Sequence, residues 1–376
     1  MIAARDAKGE RREMSVLLLK PEEIQDLVTM KEAIDAVELG YKGGCEFPVI
    51  NAPRRRVHSP EGVRISNFPG GIQGMGVIGS ATRAELVEQH GTNQSYAYRE
   101  HPVHALHDSR TGHLICILIG EPVEKTLGYT SVVALRTAAT SGVGFRYLVR
   151  KDAETAGLFG AGGQACNQLL ALLVERPGIK HVKVYSRTPA NREAFAEKYS
   201  EKFGVEITPV DSPEKAIRGV DVLLCATNTN VELFDGDLLE PGQHVTGIIG
   251  GNAQLVEGGF LKKARREIDD RTVERADVIV CNLRENIISE KQGDLYMPIE
   301  AGLIKIEDIY ELGELPLGIC KGRTTDDQIT YHKNNAGTAA SELAVAMLAY
   351  ENAKKLGRGT EIDLIDPDKL ARDFAK

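Results

Sequence analysis

Gly160-Ala161-Gly162-Gly163-Gln164-Ala165 stands between the apolar run AGLF and the apolar stretch ACNQLLALLVE. A glycine-rich turn that follows a strand and opens a helix is suited to holding a pyrophosphate. The first glycine permits the tight turn, the second lets backbone amides approach the phosphates, and the small Ala165 lets the helix pack close to the strand. The helix N-terminus then faces the negative charge. The next apolar run ends in Ser186-Arg187-Thr188, with Arg192 a turn later. An NAD site usually has an acidic residue there for the ribose 2′-hydroxyl. Hydroxyls and a guanidinium suit a 2′-phosphate instead, because arginine offers forked donors to phosphate oxygens. NADP(H) is therefore expected in preference to NAD(H). Ala226, Thr227 and Asn228 close the run DVLLCAT, where a fourth strand would meet the crevice beside the nicotinamide ribose.

The elements that must position these residues alternate. TAGLFG, HVKVYSR, EITPVD, DVLLCAT, HVTGIIG and DVIVCN read as short strands separated by helical stretches. That pattern predicts a doubly wound parallel sheet with right-handed crossovers, a Rossmann domain over residues 149–328. Before it, residues 14–148 begin with the strand SVLLL and the helical stretches PEEIQDLV and MKEAIDAVELGY. They continue as a strand-rich segment from Pro48 to Gly120, in which Ser109-Arg110-Thr111-Gly112 makes a hairpin turn, and end in a helix over residues 130–149. Residues 329–376 hold a helix from Asn335 to Leu356 that is expected to return to the first domain. The chain is thus α/β, with the Rossmann domain inserted into another α/β domain. Residues 1–13 read as a disordered leader.

The charge balance, 46 Lys and Arg against 54 Asp and Glu, gives a net −8, which argues against nucleic acid or an anionic membrane as partner. No apolar run approaches the roughly 18 residues that span a bilayer. Six scattered cysteines without a CxxC pair predict reduced thiols in a cytoplasmic protein and no zinc site. His101, His104 and His107 invite a metal reading, but His104 and His107 would point to opposite faces of a strand, so no metal is expected. Tyr96, Tyr98 and Arg99 share that segment and could line the pocket, with packing the favoured role.

Leu135-Arg136-Thr137-Ala138-Ala139-Thr140-Ser141, Asp108-Ser109-Arg110-Thr111-Gly112, Arg265-Arg266-Glu267-Ile268-Asp269 and TYHKNNAGTAASELA resemble the ornithine cyclodeaminase/mu-crystallin family, over nearly the whole chain. The resemblance implies that the domain built from both chain ends binds the substrate and forms a homodimer. It also implies chemistry at a C=N or CH–NH bond of a small imino or amino acid. Arg136 matches the arginine that grips the substrate carboxylate, with Thr137 beside it counted among the cofactor contacts. Arg54-Arg55-Arg56 falls where another carboxylate-binding arginine is expected, and Arg54 and Arg56 are favoured. Lys333 is read as either a cofactor-pocket contact or a surface residue.

Two family residues are missing. The family's G-V-K lysine corresponds to the stretch Gly74-Met75-Gly76-Val77-Ile78-Gly79-Ser80, and no lysine occurs between Lys42 and Lys125. The G-x-D aspartate corresponds to Gly250-Gly251-Asn252, and asparagine accepts no proton. The catalytic group is therefore unassigned, with Glu257, His104 and His107 as candidates. Ornithine cyclodeamination with NAD, which needs more proton management, is disfavoured against simple imine reduction. A third reading is a non-catalytic cofactor-binding protein or a subunit of a larger enzyme.

Overall fold

The computed structural model describes residues 14–90, 93–251, 253–259, 262, 264–335 and 337–364. The expected leader lies outside these residues. The first part of the chain supplies β1 (Met14–Leu19), α1 (Met30–Glu46), β2 (Arg55–His58), β3 (Val63–Ile72), β4 (Val77–His90), β5 (Asn93–Arg99), β6 (Val103–Asp108), β7 (Leu114–Ile119) and α2 (Ala134–Leu148). Then strands and helices alternate. They are β8 (Thr155–Phe159), α3 (Gly163–Glu175), β9 (His181–Tyr185), α4 (Pro189–Phe203), β10 (Glu206–Val210), α5 (Pro213–Ile217), β11 (Val222–Cys225), β12 (His244–Gly247), α6 (Ala253–Glu257), α7 (Asp270–Arg275) and β13 (Val278–Cys281). After these come α8 (Arg284–Ser289), α9 (Gly293–Glu300), β14 (Ile309–Glu311), β15 (Thr330–Lys333), α10 (Ala339–Lys355) and β16 (Thr360–Leu364).

The first sheet has the order β16-β1-β7-β6-β4-β3-β2, with β5 on the far half of the long strand β4. The second runs β10-β9-β8-β11-β12-β15-β13-β14, every pair parallel. Its central strands β11, β12, β13 and β15 are buried at every residue, as parallel strands covered on both faces must be. The two sheets share a core. Helix α2 packs on α1 and on α3, so apolar packing runs from Leu19, Ile34 and Leu118 through Phe145 to Leu158 and Leu169. The opposite face of the second sheet has its own core of Phe159, Leu223, Val245, Ile279 and Tyr331.

Three expectations need correction. PEEIQDLV is not a helix. It holds one 3-10 turn at Pro21–Glu23, after which Asp26 turns left-handed (φ 57°) and Thr29 caps α1 by accepting from the Glu32 amide. The helix expected from residue 130 starts at Ala134, because Val133 is itself left-handed (φ 57°), a costly conformation for a β-branched residue. The boundary at residue 329 falls on the wrong side of β15. The run TYHK is an internal strand of the second sheet, and only after Lys333 does the chain cross back, α10 lying over β3, β4 and β6.

Candidate active site

A cleft of about 940 Å³ opens where the C-terminal ends of β8, β9, β11 and β12 face the β2–β5 end of the first sheet. Gly160, Ala161, Gly162, Gly163 and Gln164 line it, together with Ser186, Arg187, Thr188, Ala226, Thr227, Asn228 and Thr137. The loop is built as its glycines require. Gly160 has φ +110°, and a Cβ there would stand 2.3 Å from the Ala226 carbonyl oxygen. A Cβ on Gly163 would meet the Thr130 carbonyl at 2.0 Å, whereas one on Gly162 would meet nothing within 4 Å and would project into open space. The cradle at the start of α3 therefore fits a pyrophosphate, and Gly162 is where a ligand approaches the backbone. Gln164 Nε2 donates to the Val132 carbonyl (3.0 Å) and Asn167 Nδ2 to Thr130 Oγ1 (2.6 Å), tying this loop to the segment that leads into α2.

Two residues expected at the cofactor do not face the cleft. Ala165, in the first turn of α3, is fully buried, in keeping with its packing role. Arg192 turns back to donate to the Ser186 carbonyl (2.9 Å), an inward contact that carries its guanidinium off the cleft wall.

The other wall is arginine. Pairing across β2, β3 and β4 sets Arg56, Ser66 and Arg83 in one row, and pairing across β3, β4 and β5 sets Arg64, Glu85 and Arg99 in the next. All six line the cleft, with Arg54 and Arg136. Arg55 lies between its two neighbours in sequence but is exposed on the other side of β2, because strand side chains alternate. Carboxylates brace these cations from behind. Glu290 is held bidentately by Arg54 and lies 3.5 Å from Arg56, Glu85 accepts from Arg64 Nε (3.1 Å) and lies 3.3 Å from Arg99, and Glu342 pairs with Arg136 (3.0 Å) and Arg83 (3.3 Å). Burial alone would raise these carboxyls. Arg54 and Arg56 nevertheless hold Glu290 at about 2, and Arg136, Arg83 and His104 hold Glu342 well below the usual range. Glu121, 3.1 Å from Arg83, accepts from the amide of the strained Val133.

The candidate acids fare differently. Glu257 is exposed and pairs with Lys291 (2.6 Å), its carboxylate drawn to a surface ammonium and away from the cleft. His104 is buried behind the arginines, 3.8 Å from Glu342, and His107 sits at the hairpin with Nδ1 3.1 Å from the Gly112 carbonyl. Neither lines the cleft, since β6 lies one strand beyond the arginine wall. Lys333 is neither a pocket contact nor a surface residue: it is buried and ion-paired with Asp294. Asn252 lies outside the described residues, while its neighbours Gly250 and Gly251 line the cleft. In the stretch that lacks the lysine, Ile78 faces away from the cleft, but Arg83 further along β4 brings a positive charge in.

Glu267 joins the two strand ends that would flank a nicotinamide ring. Its carboxyl accepts from the Thr227 amide (3.2 Å) and hydroxyl (3.0 Å), and from the amides of Ile248 (3.2 Å) and Ile249 (3.3 Å). Burial pushes it up, Lys333 opposes this and Asp294 adds to it, leaving it at about 7. The folded carboxyl thus holds its proton more tightly than the unfolded one. Its contribution to stability is full below about pH 4.5 and is lost as the pH rises to about 7. Relative to wild type, Glu267→Gln is expected to gain roughly 3 kcal/mol in unfolding free energy between those pH values. A difference that stays constant with pH in denaturant titrations would show that Glu267 is ionised throughout.

Among the described residues no three His, Cys, Asp or Glu side chains are grouped to hold a metal ion, and no helix is long and apolar enough to cross a membrane.

Comparison with known proteins agrees with this geometry. The family model "Ornithine cyclodeaminase/mu-crystallin family" matches residues 14–357. A Delta(1)-pyrroline-2-carboxylate reductase of Bacillus cereus is 32% identical over 245 residues, 65% of this chain and 71% of that one. An alanine dehydrogenase of Archaeoglobus fulgidus is 26% identical over 355 residues, 93% of this chain and 98% of that one. The Thermococcus litoralis Delta(1)-pyrroline-2-carboxylate reductase, solved in complex with NADH and L-proline, superposes with a TM-score of 0.76 at 28% identity, covering 92% of this chain and all of that one. A matched glycine cradle, an arginine-lined cleft and this coverage make the chain an enzyme of the ornithine cyclodeaminase/mu-crystallin family.

Proposed function

We propose that this enzyme is an NADP(H)-dependent imine reductase, converting the C=N bond of a small carboxylate-bearing imine to an amine and, in reverse, oxidising an amino acid. The observation that carries the reading is the placement of Arg136, braced by Glu342, in the same cleft as the glycine cradle. A bound nicotinamide supplies or accepts a hydride. The chain's own part is to hold the substrate carboxylate on Arg136, with Arg54 and Arg56 on the adjoining wall, so that the imine carbon faces the crevice at Thr227 and Asn228. An imine protonated in solution needs no acid from the protein, consistent with a cleft without the family's lysine.

The preference for NADP(H) is supported by Ser186, Arg187 and Thr188 at the end of β9, with Arg187 exposed along the cleft beside Asn191. A homodimer is supported by the outer face of the first sheet, where Val57, Ile65, Ile78 and Val103 are exposed together on adjoining strands. A cytoplasmic location is supported by six cysteines that are all free, five of them buried.

The test is to mix the protein with NADPH or NADH and a panel of cyclic and linear imino acids, and to follow nicotinamide absorbance. Turnover with NADPH is expected. Tight NADPH binding without turnover on any imine would instead favour a non-catalytic role, and NAD-dependent ammonia release from ornithine would overturn the reading. Arg187→Glu is expected to lower the NADPH-to-NADH ratio of kcat/KM by about 100-fold, the loss of one charge-assisted phosphate contact and its replacement by repulsion. An unchanged ratio would remove Arg187 from the cofactor site.

A further inference from the structure

Ionisable side chains are buried behind the crevice end of β11 and β12, and Glu267 ties them to its wall. The four hydrogen bonds its carboxyl accepts come from Thr227, Ile248 and Ile249, and all three of those residues line the cleft. The carboxyl therefore stands one layer behind the wall. The Asp294 carboxylate accepts from the Glu267 and Ile268 amides (2.7 and 3.1 Å) and is ion-paired with Lys333. Lys333 and Tyr331 face Glu267 from β15, Asp294 from α9 and Cys225 from β11. Burial pushes the Cys225 thiol and the Tyr331 hydroxyl well above their ordinary values, which keeps both neutral. On either side of Glu267 in the chain, Arg266 pairs with Asp270 and Glu232, and Asp269 is turned to the amides of Gly236 (2.8 Å) and Thr272 (2.9 Å). Lys333 and Asp294 cancel. The buried group is thus neutral when Glu267 is protonated and carries one negative charge when it is not.

An oxidised nicotinamide ring is a cation and a reduced one is neutral, while the phosphates and riboses of the two forms are the same. We propose that Glu267 sets which form the cleft prefers, its carboxylate behind Thr227 and Ile248 favouring the cationic ring over the neutral one. The inference rests on the reading above in placing the nicotinamide beside those strand ends. The charge is effective because Glu267 is fully buried and the cation that faces it, Lys333, is already paired with Asp294. Coupling runs both ways. Binding of the oxidised form drives the Glu267 proton off to solvent, and a protonated Glu267 weakens that form alone. Burial, opposed by Lys333 and reinforced by Asp294, places the carboxyl at about 7, where both states are populated. Rising pH therefore favours the oxidised cofactor and amino-acid oxidation, and falling pH favours the reduced cofactor and imine reduction.

The test is to measure Kd for NADP+ and for NADPH on the wild-type protein from about pH 6 to about pH 8. The 2′-phosphate titrates alike in both and cancels from their ratio. Two unit charges acting across one layer of wall give about a tenfold coupling, so the NADPH-to-NADP+ ratio of Kd is expected to rise about fivefold over that range. Calorimetry in buffers of different ionisation enthalpy should show about half a proton released per NADP+ bound near pH 6.5, and none per NADPH. Glu267→Gln keeps the shape without the charge, and is expected to hold the ratio at its low-pH value and to abolish the release. If that variant does not fold, the wild-type ratio and proton release decide alone. A wild-type ratio independent of pH, with both forms bound, would overturn the assignment of Glu267 and leave the imine-reductase reading intact. A ratio that still rises with pH in Glu267→Gln would overturn it as well. If the ratio rises as expected but no imine is reduced, the reductase reading fails and the role of Glu267 stands. Binding of neither form would overturn both.

Discussion

Gly160→Ala is expected to abolish measurable nicotinamide binding and to destabilise the second sheet. The residue sits at φ +110°, where an L side chain is strained by roughly 1–3 kcal/mol, and its new Cβ would be pushed to 2.3 Å from the Ala226 carbonyl. That carbonyl has little freedom to retreat, because the Ala226 amide is already bonded to the Phe159 carbonyl (2.8 Å), continuing the β8–β11 pairing. The backbone of the cradle must then shift, and the amides aimed at the pyrophosphate lose their alignment. A fall of more than about 100-fold in cofactor affinity follows if two such contacts are lost. Gly162→Ala provides the contrast. Gly162 is at φ −103° with open space around its Cα, so alanine there is expected to leave the melting temperature of the cofactor-free protein unchanged. The added methyl group would nevertheless occupy the volume a phosphate needs. If calorimetric titration of Gly162→Ala gave wild-type affinity, the loop would not be the cofactor cradle.

Arg136→Ala is expected to lower kcat/KM for the imine by about 10³-fold, because truncating the buried cation that meets the substrate carboxylate costs roughly 4 kcal/mol of binding. Two effects add. The substrate carboxylate loses a planar donor fork, and Glu342, buried with Arg136 and Arg83, keeps only the second of them. Arg136→Lys separates these effects, since an ammonium restores the charge but not the fork. It is expected to recover part of the loss and to remain about tenfold or more below wild type. Wild-type kcat/KM in the lysine variant would show that no bidentate grip operates at this position.

The glycine cradle was legible because its information is local: turn, strand and helix follow one another within a dozen residues, and each glycine has its own steric reason. Strands β8 to β13 of the second sheet were legible for the same reason, whereas β14 was not read and β15 was assigned to the first domain. Arg64 and Arg83 were not singled out as site residues and Arg99, which does line the cleft, was read mainly as packing, although one signal was present. Arg64-x-Ser66-x-Phe68 and Arg83-x-Glu85 have the two-residue spacing that puts side chains on one face of a strand. What makes them a wall is the register of β3 against β4 and β5, which no short window of sequence specifies. Their counterions lie further still, with Glu290 236 residues from Arg54 in the chain. Glu257 was attractive as the nearest acid to the missing aspartate, but proximity along the chain did not survive the turn that pairs it with Lys291. The boundary at residue 329 failed because a strand followed by a helix that returns to the first domain looks like part of that return.

The interleaved position of β15 has a consequence for how the protein is made. With β12 and β13 on either side of it, the second sheet stays split into two unjoined pieces during synthesis until residue 333 has left the ribosome. The first sheet waits longer, for α10 to cover β3 and β4 and for β16 to pair with β1. Two apolar strand edges are therefore bare in the nascent chain at the same time, and both are closed by one late stretch of about 35 residues. Ribosome-bound chains halted before residue 330 should be protease-sensitive throughout, and release past residue 364 should protect both sheets together. Closure of the two sheets in this enzyme is in that sense a single late event.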